Sequence, residues 1–349
     1  MGEQGEKTAD GKPKPDERTV ADLLSRGWFK TEEAAVALLT KLPSRTERFA
    51  FETAKPTADW LEATLGRVPL KGGMLPAAKA VKAFPDLLFC DAATLQRKWE
   101  ALTLPAEQGG VGITFSHAQA REAVLKHPHI LCYTLDTLKR GWLMLTATEG
   151  GLGLSPEEAR SCILRSPQVL RFDHDAVVRR VELLKILGYA EAYEMVLQEP
   201  RVLNYKEETV KEHAAWWKQS GLDHVKIVTS YPALLGVSVE ELQAKLSFLR
   251  DVARLSVADL NRGGPFFHAS LDKKLRPRFF YACKHGALER YKLSSLCFCS
   301  DALFLRQVHR LDALASEDEV DAYKATIASP DFRARMAAQE EETRRRGGA

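Results

Sequence analysis

A proline followed by one variable residue and an apolar pair recurs through the middle of this 349-residue chain. The copies are Phe84-Pro85-Asp86-Leu87-Leu88, His127-Pro128-His129-Ile130-Leu131, Ser166-Pro167-Gln168-Val169-Leu170, Glu199-Pro200-Arg201-Val202-Leu203 and Tyr231-Pro232-Ala233-Leu234-Leu235, with a degenerate sixth at Gly264-Pro265-Phe266-Phe267-His268. Successive prolines are 43, 39, 33, 32 and 33 residues apart. The unit is therefore about 33 residues long, and the first two copies carry insertions at Gly109-Gly110-Val111-Gly112 and Gly150-Gly151-Leu152-Gly153.

Each proline ends the helix before it, because it lacks an N–H and forces the preceding residue out of the α region. Helix starts are legible in Ser116 with Gln119 and in Ser155-Pro156-Glu157-Glu158, both capping boxes. Six residues after the proline stand Asp91, Thr134, Asp173 and Ser238, capping residues that predict a second helix. Position 10 after the proline holds Leu95, Leu138, Val177, Val210, Leu242 and Leu275; position 14 holds Trp99, Trp142, Val181, Ala214, Leu246 and Phe279; position 17 is also apolar throughout. That spacing is helical, and Gly188, Gly221 and Gly286 at position 21 suit left-handed helix ends. A helix-turn-helix unit of this size cannot bury its apolar face alone, so stacked copies predict an all-α solenoid, of either hand.

Pro-x-apolar-Leu at the turn and Leu-x-x-Arg/Lys-apolar-x-x-Leu in the second helix resemble the mitochondrial transcription termination factor (mTERF) family, most closely over Arg180-Val181-Glu182-Leu183-Leu184-Lys185-Ile186-Leu187-Gly188. The similarity covers about residues 75 to 310: six copies, plus a seventh beginning at Tyr291 in which Ser300 replaces the proline. Tetratricopeptide units would need small residues at fixed interhelical positions, and ankyrin units would show Thr-Pro-Leu-His. Copy six departs from the pattern at Asn261, Arg262, His268 and at Pro277 inside its second helix, so it is expected to be distorted. The resemblance implies a non-catalytic, nucleic-acid-binding organellar protein, mitochondrial before plastid, acting in transcription or on RNA, including ribosome biogenesis. It leaves open a structural component of the mitochondrial ribosome, holding ribosomal RNA and neighbouring ribosomal proteins, and a scaffold that binds only protein. The expected partner is RNA or double-stranded DNA.

Around the array, residues 1–20 mix charges with almost no apolar side chains and are expected to be disordered; residues 21–74 form an N-terminal helical region, and 311–349 a charged tail. The first segment matches neither a secretory signal nor an acid-poor organellar presequence. No run approaches the ~18 apolar residues of a membrane span.

Lys+Arg 50 against Asp+Glu 47 is nearly balanced, so a phosphate-binding surface must come from where charges sit. Position 12 carries Arg97, Arg140 and Arg179, pointing away from the apolar arc as a charged path or a solvated face. Position 13 carries Lys98, Arg180, His213, Lys245 and Arg278, with Gly141 interrupting the row. It lies at the apolar arc, which admits two readings: side chains with buried stems, or phosphate contacts. Residues 262 to 310 hold ten Lys/Arg against Asp272, Glu289 and Asp301, including Lys273, Lys274, Arg276, Arg278, Lys284, Arg290 and Lys292. Phosphate neutralisation makes this the main electrostatic clue. Phe279, Phe280 and Tyr281 within it read as core at helical spacing, and the acids of residues 317–321 are candidates to pair with the same surface.

No Walker lysine, H-E-x-x-H or G-x-S-x-G occurs, and no cofactor motif is legible. Asp173-His174-Asp175 and His127-Pro128-His129 read as repeat turns, not as acid/base sites. The six cysteines, Cys90, Cys132, Cys162, Cys283, Cys297 and Cys299, lack zinc or redox spacing and are expected to be reduced, with no metal at Cys297-x-Cys299 and His309.

Overall fold

The computed structural model describes residues 15–40, 51–262, 264–289 and 292–347. Among them every regular element is helical. The repeat reading is realised almost residue for residue: each of the first five prolines opens a five-residue 3₁₀ turn, Pro85–Phe89, Pro128–Cys132, Pro167–Arg171, Pro200–Asn204 and Pro232–Gly236. Leu87, Leu88, Ile130, Leu131, Val169 and Leu170 are buried by these turns. The expected caps are in place. Asp91, Thr134, Asp173 and Ser238 accept from the backbone N–H three residues on, and both capping boxes close. Glu241 completes no box with Ser238, because its carboxylate pairs with Lys245 at 2.7 Å. Gly188, Gly221 and Gly286 have φ of +101°, +73° and +61°, the left-handed ends that the spacing predicts.

The chain divides into two compact units, residues 1–180 with 199–203 and residues 181–198 with 204–349. In the first, helices Pro76–Ala83, His117–Lys126 and Pro156–Arg165 lie side by side. Ala77, Ala80, Ala120, Ala123 and Ala159 are buried along them, small enough for close backbone approach. The second helices, Ala92–Thr103 and Leu135–Thr146, bury Leu95, Trp99, Leu102, Leu138, Trp142 and Leu145, the period read from the sequence. Each insertion folds back over its own helix: Phe115 N–H donates to the Leu102 carbonyl, and Leu154 N–H to Leu145. In the second unit Ala192–Gln198, His224–Ser230 and Val257–Arg262 stack likewise, as do Glu207–Gln219 and Val239–Ser247.

Copy six is distorted, as its departures predict, and two other expectations need correcting. Copy six has an α-helical Gly264–His268 where the others have a 3₁₀ turn, and a π-helical stretch Leu271–Leu275 leads into Arg276–Lys284. Pro277 lies inside this continuous helical run, just after its π-helical stretch, with Leu275 and Arg276 before it in helical backbone conformation. Ser300 is not a turn residue standing in for proline: its Oγ caps helix Asp301–His309 by accepting from Leu303 N–H, and Tyr291 lies outside the described residues. Helix Glu17–Ser25 begins inside the segment expected to be disordered, capped by Asp16, while residues 1–14 lie outside the described residues.

The segment read as a charged tail forms helices Glu317–Ala328 and Pro330–Gly347. Tyr323 joins Ala282, Phe304, Leu305 and Val308 in a core cluster, so these helices close the end of the second unit.

Candidate nucleic-acid interface

Position 13 separates from position 12 by what its side chains touch. Lys245 is 1% exposed, and its Nζ donates to the Phe267 carbonyl at 2.7 Å, in the short helix Gly264–His268 of the next copy. Arg278 is 2% exposed; it donates to the Cys299 carbonyl at 2.9 Å, pairs with Asp301 at 2.6 Å and lies over the Phe304 ring. His213 is buried and hydrogen-bonded to the backbone of Leu234, in the turn of the next copy. Burial is the main force holding its imidazole below the ordinary 6.5. Lys98 is half-buried towards Cys132, at the end of the turn of copy two. Burial, with Arg97 alongside, draws its ammonium below its ordinary value. Arg180 is buried as well. At His213, Lys245 and Arg278, position 13 thus couples neighbouring copies by bonding the backbone of the next one.

Gly141, which breaks the row, serves the same joint differently. A Cβ there would lie 2.2 Å from the Leu170 carbonyl oxygen, so only glycine lets helix Leu135–Thr146 rest directly on turn Pro167–Arg171.

Position 12 faces out. Arg97, Arg140 and Arg179 are exposed; Arg97 donates to Thr94 Oγ1 at 3.2 Å, and Arg140 pairs with Asp136 at 2.9 Å. Exposed pairs of this kind are worth little, so these guanidiniums exchange partners at small cost.

The basic stretch from 262 to 310 divides in the same way. Arg276 is held by Asp272 and, at 2.9 Å, by Glu340 of the last helix, and Arg262 pairs with Asp259 at 3.2 Å. Lys273, Lys284 and Lys292 are exposed and Lys274 half-buried; Arg290 lies outside the described residues. Lys273 and Lys274 line a cleft of about 590 Å³ whose opposite wall carries Tyr323 and Lys324. Lys324, which sequence reasoning missed, is a third lysine on the lining of the same cleft. The Ser316-Glu319 capping box was its available signal, since it announces a helix on which residue 324 stands two turns in. Of the acids of 317–321, Asp321 meets this surface by pairing with Lys324 at 3.2 Å, an exposed pair like that of Arg140, while Glu319 caps Ser316; Glu340 supplies the counter-charge to Arg276. Phe279 and Phe280 are buried against Phe248, as core side chains.

The acids and histidines of the repeat turns make local contacts within the fold. Asp173 caps the helix that His174 begins. His127 is hydrogen-bonded to Tyr133 at 2.7 Å, and His129 stacks on Phe84 at 3.7 Å. The described cysteines are free thiols; burial pushes Cys162 up to about 12, and the Cys297 side chain lies outside the described set. Among the described residues no helix is long and apolar enough to cross a membrane.

No curated protein matches the chain. A family model, mTERF, matches it twice, over residues 110–222 and 149–305. Those matches together span more than half of the sequence and fall on the copies whose turns and joints are described above, so the chain belongs to the mTERF family of organellar, nucleic-acid-binding helical-repeat proteins.

Proposed function

We propose that this chain is a non-catalytic factor of mitochondrial gene expression that binds nucleic acid, RNA or DNA, through outward-facing cations. One observation carries the assignment: buried and exposed cations are sorted by position. Lys245, Arg278 and Arg180 lie inside the array. Arg97, Arg140 and Arg179 in the first unit, and Lys273, Lys274 and Lys324 in the second, face solvent or an open cleft. A charged side chain is costly to hold in one place at a surface, and phosphate is the ligand that rewards a row of them by releasing counter-ions.

The test is a titration of the full chain with RNA and duplex DNA over a range of salt concentrations. Log affinity should fall linearly with log salt, and absent or salt-independent binding overturns the proposal. Sedimentation with mitochondrial ribosomal particles separates a ribosomal component, which co-sediments at high salt, from the free factor proposed here.

A further inference from the structure

The joint between copies two and three is unlike its neighbours. Lys98, His213, Lys245 and Arg278 each send a side chain toward the next copy, whereas Gly141 sends none. Beside Gly141 opens a half-enclosed cleft of about 520 Å³. Its floor is apolar and buried, made by Gly141, Met144 and Leu170. Its walls carry Tyr133, Thr137, Arg140, Arg171, Phe172 and His174. Two acids stand near these guanidiniums. Asp136 pairs with Arg140, and Asp173 on the lining accepts from the Ala176 N–H, which ties its carboxylate to the helix start. The cleft therefore combines an apolar floor, two aromatic rings and two exposed arginines.

A ligand matching this chemistry has an anionic group and a flat apolar body in one small molecule or monomer unit. The volume is in the range that small-ligand sites occupy. A bare phosphate leaves the apolar floor unused, and an apolar ligand leaves the guanidiniums unused. We infer that this joint is a nucleotide cleft: it receives one unstacked nucleotide of a bound single strand, with the phosphate at Arg140 and Arg171 and the base against the floor beside Phe172. A single strand presents an unstacked base without the few kcal/mol that unpairing and extruding one from a duplex would cost, so the cleft favours single-stranded RNA or DNA over duplex. The inference rests on the nucleic-acid assignment above and adds the preferred form of the ligand.

The experiment compares a labelled twelve-residue single-stranded RNA with a matched duplex, binding each to the full chain and to two variants. Thr137→Trp fills the cleft from its wall, and Arg171→Gln removes a cation from its rim. Gly141→Ala is unsuitable, since its Cβ meets backbone. Each variant should bind the single strand about tenfold more weakly, the order a base contact is worth, with duplex affinity unchanged within about twofold. Adenosine 5′-monophosphate should compete with the single strand where inorganic phosphate at equal concentration does not. Thermal melting followed by circular dichroism establishes that each variant is folded, and if Thr137→Trp is not, Arg171→Gln decides alone. Equal losses for both ligands, or none for either, overturn the cleft and leave the nucleic-acid assignment standing. Competition by an acidic peptide without competition by the nucleotide makes it a protein-docking site instead and overturns it too. A wild-type chain that binds neither nucleic acid removes the wider assignment and the cleft with it.

Discussion

Lys245 and Lys273 are the same residue type 28 positions apart in the sequence, and they differ in nearly everything that decides a lysine's role. Lys245 is 1% exposed and gives its ammonium to Phe267 and Glu241; Lys273 stands exposed at a cleft. Lys245→Ala should lower stability by about 2 to 3 kcal/mol in urea denaturation, because it strands a buried carbonyl that a charged donor satisfies. Lys273→Ala should cost under about 0.5 kcal/mol, as surface changes usually do. His213 makes the same point in pH. Its folded value lies below 6.5, so the unfolded chain binds the proton more readily. Its contribution is full above about 6.5 and is lost as the pH falls from there through the folded value. His213→Gln should therefore reduce the dependence of urea midpoint on pH between about 7 and 5, and an unchanged profile would place the titration elsewhere. The helical period put position 13 on the apolar arc, but the partner of Lys245 is a carbonyl 22 residues away in the next copy. No local pattern names such a partner.

At the scale of elements, caps and turns were legible because their causes are local: a proline's missing donor, a hydroxyl three residues from an N–H, a glycine at positive φ. Copy six shows the limit. Asn261, His268 and Pro277 announced a departure, but its form, a short α-helix and a π-helical entry to Arg276–Lys284, depends on the chain around it. Gly141 shows another limit, since a missing side chain in the row signalled only a gap. In the fold it is a contact between helix backbone and turn, with no room for a methyl group. Gly141→Ala should destabilise the protein by about 3 kcal/mol, against the small gain expected of alanine in an open helix. A melting temperature equal to or above that of the wild type would show that the two elements are not in contact.

For the whole molecule, near-neutral net charge conceals a division of labour among its cations. Counting charge along residues 262 to 310 located a basic region without separating Arg276 and Arg278, which ion pairs hold, from Lys273 and Lys274, which line an open cleft. Lys324 escaped notice because it follows an acidic run, and it reaches the cleft only once the last helices fold back on the second unit. The central claim is that phosphate is bound by this exposed set, while the buried row serves the fold. Its most direct test is the slope of log affinity against log salt for single-stranded RNA, compared between the wild type and the triple variant Lys273→Gln, Lys274→Gln, Lys324→Gln. Three lost contacts should flatten the slope by about 2, at roughly 0.7 for each phosphate of a single strand, with the fold intact by circular dichroism. An unaltered slope with normal affinity would contradict the claim.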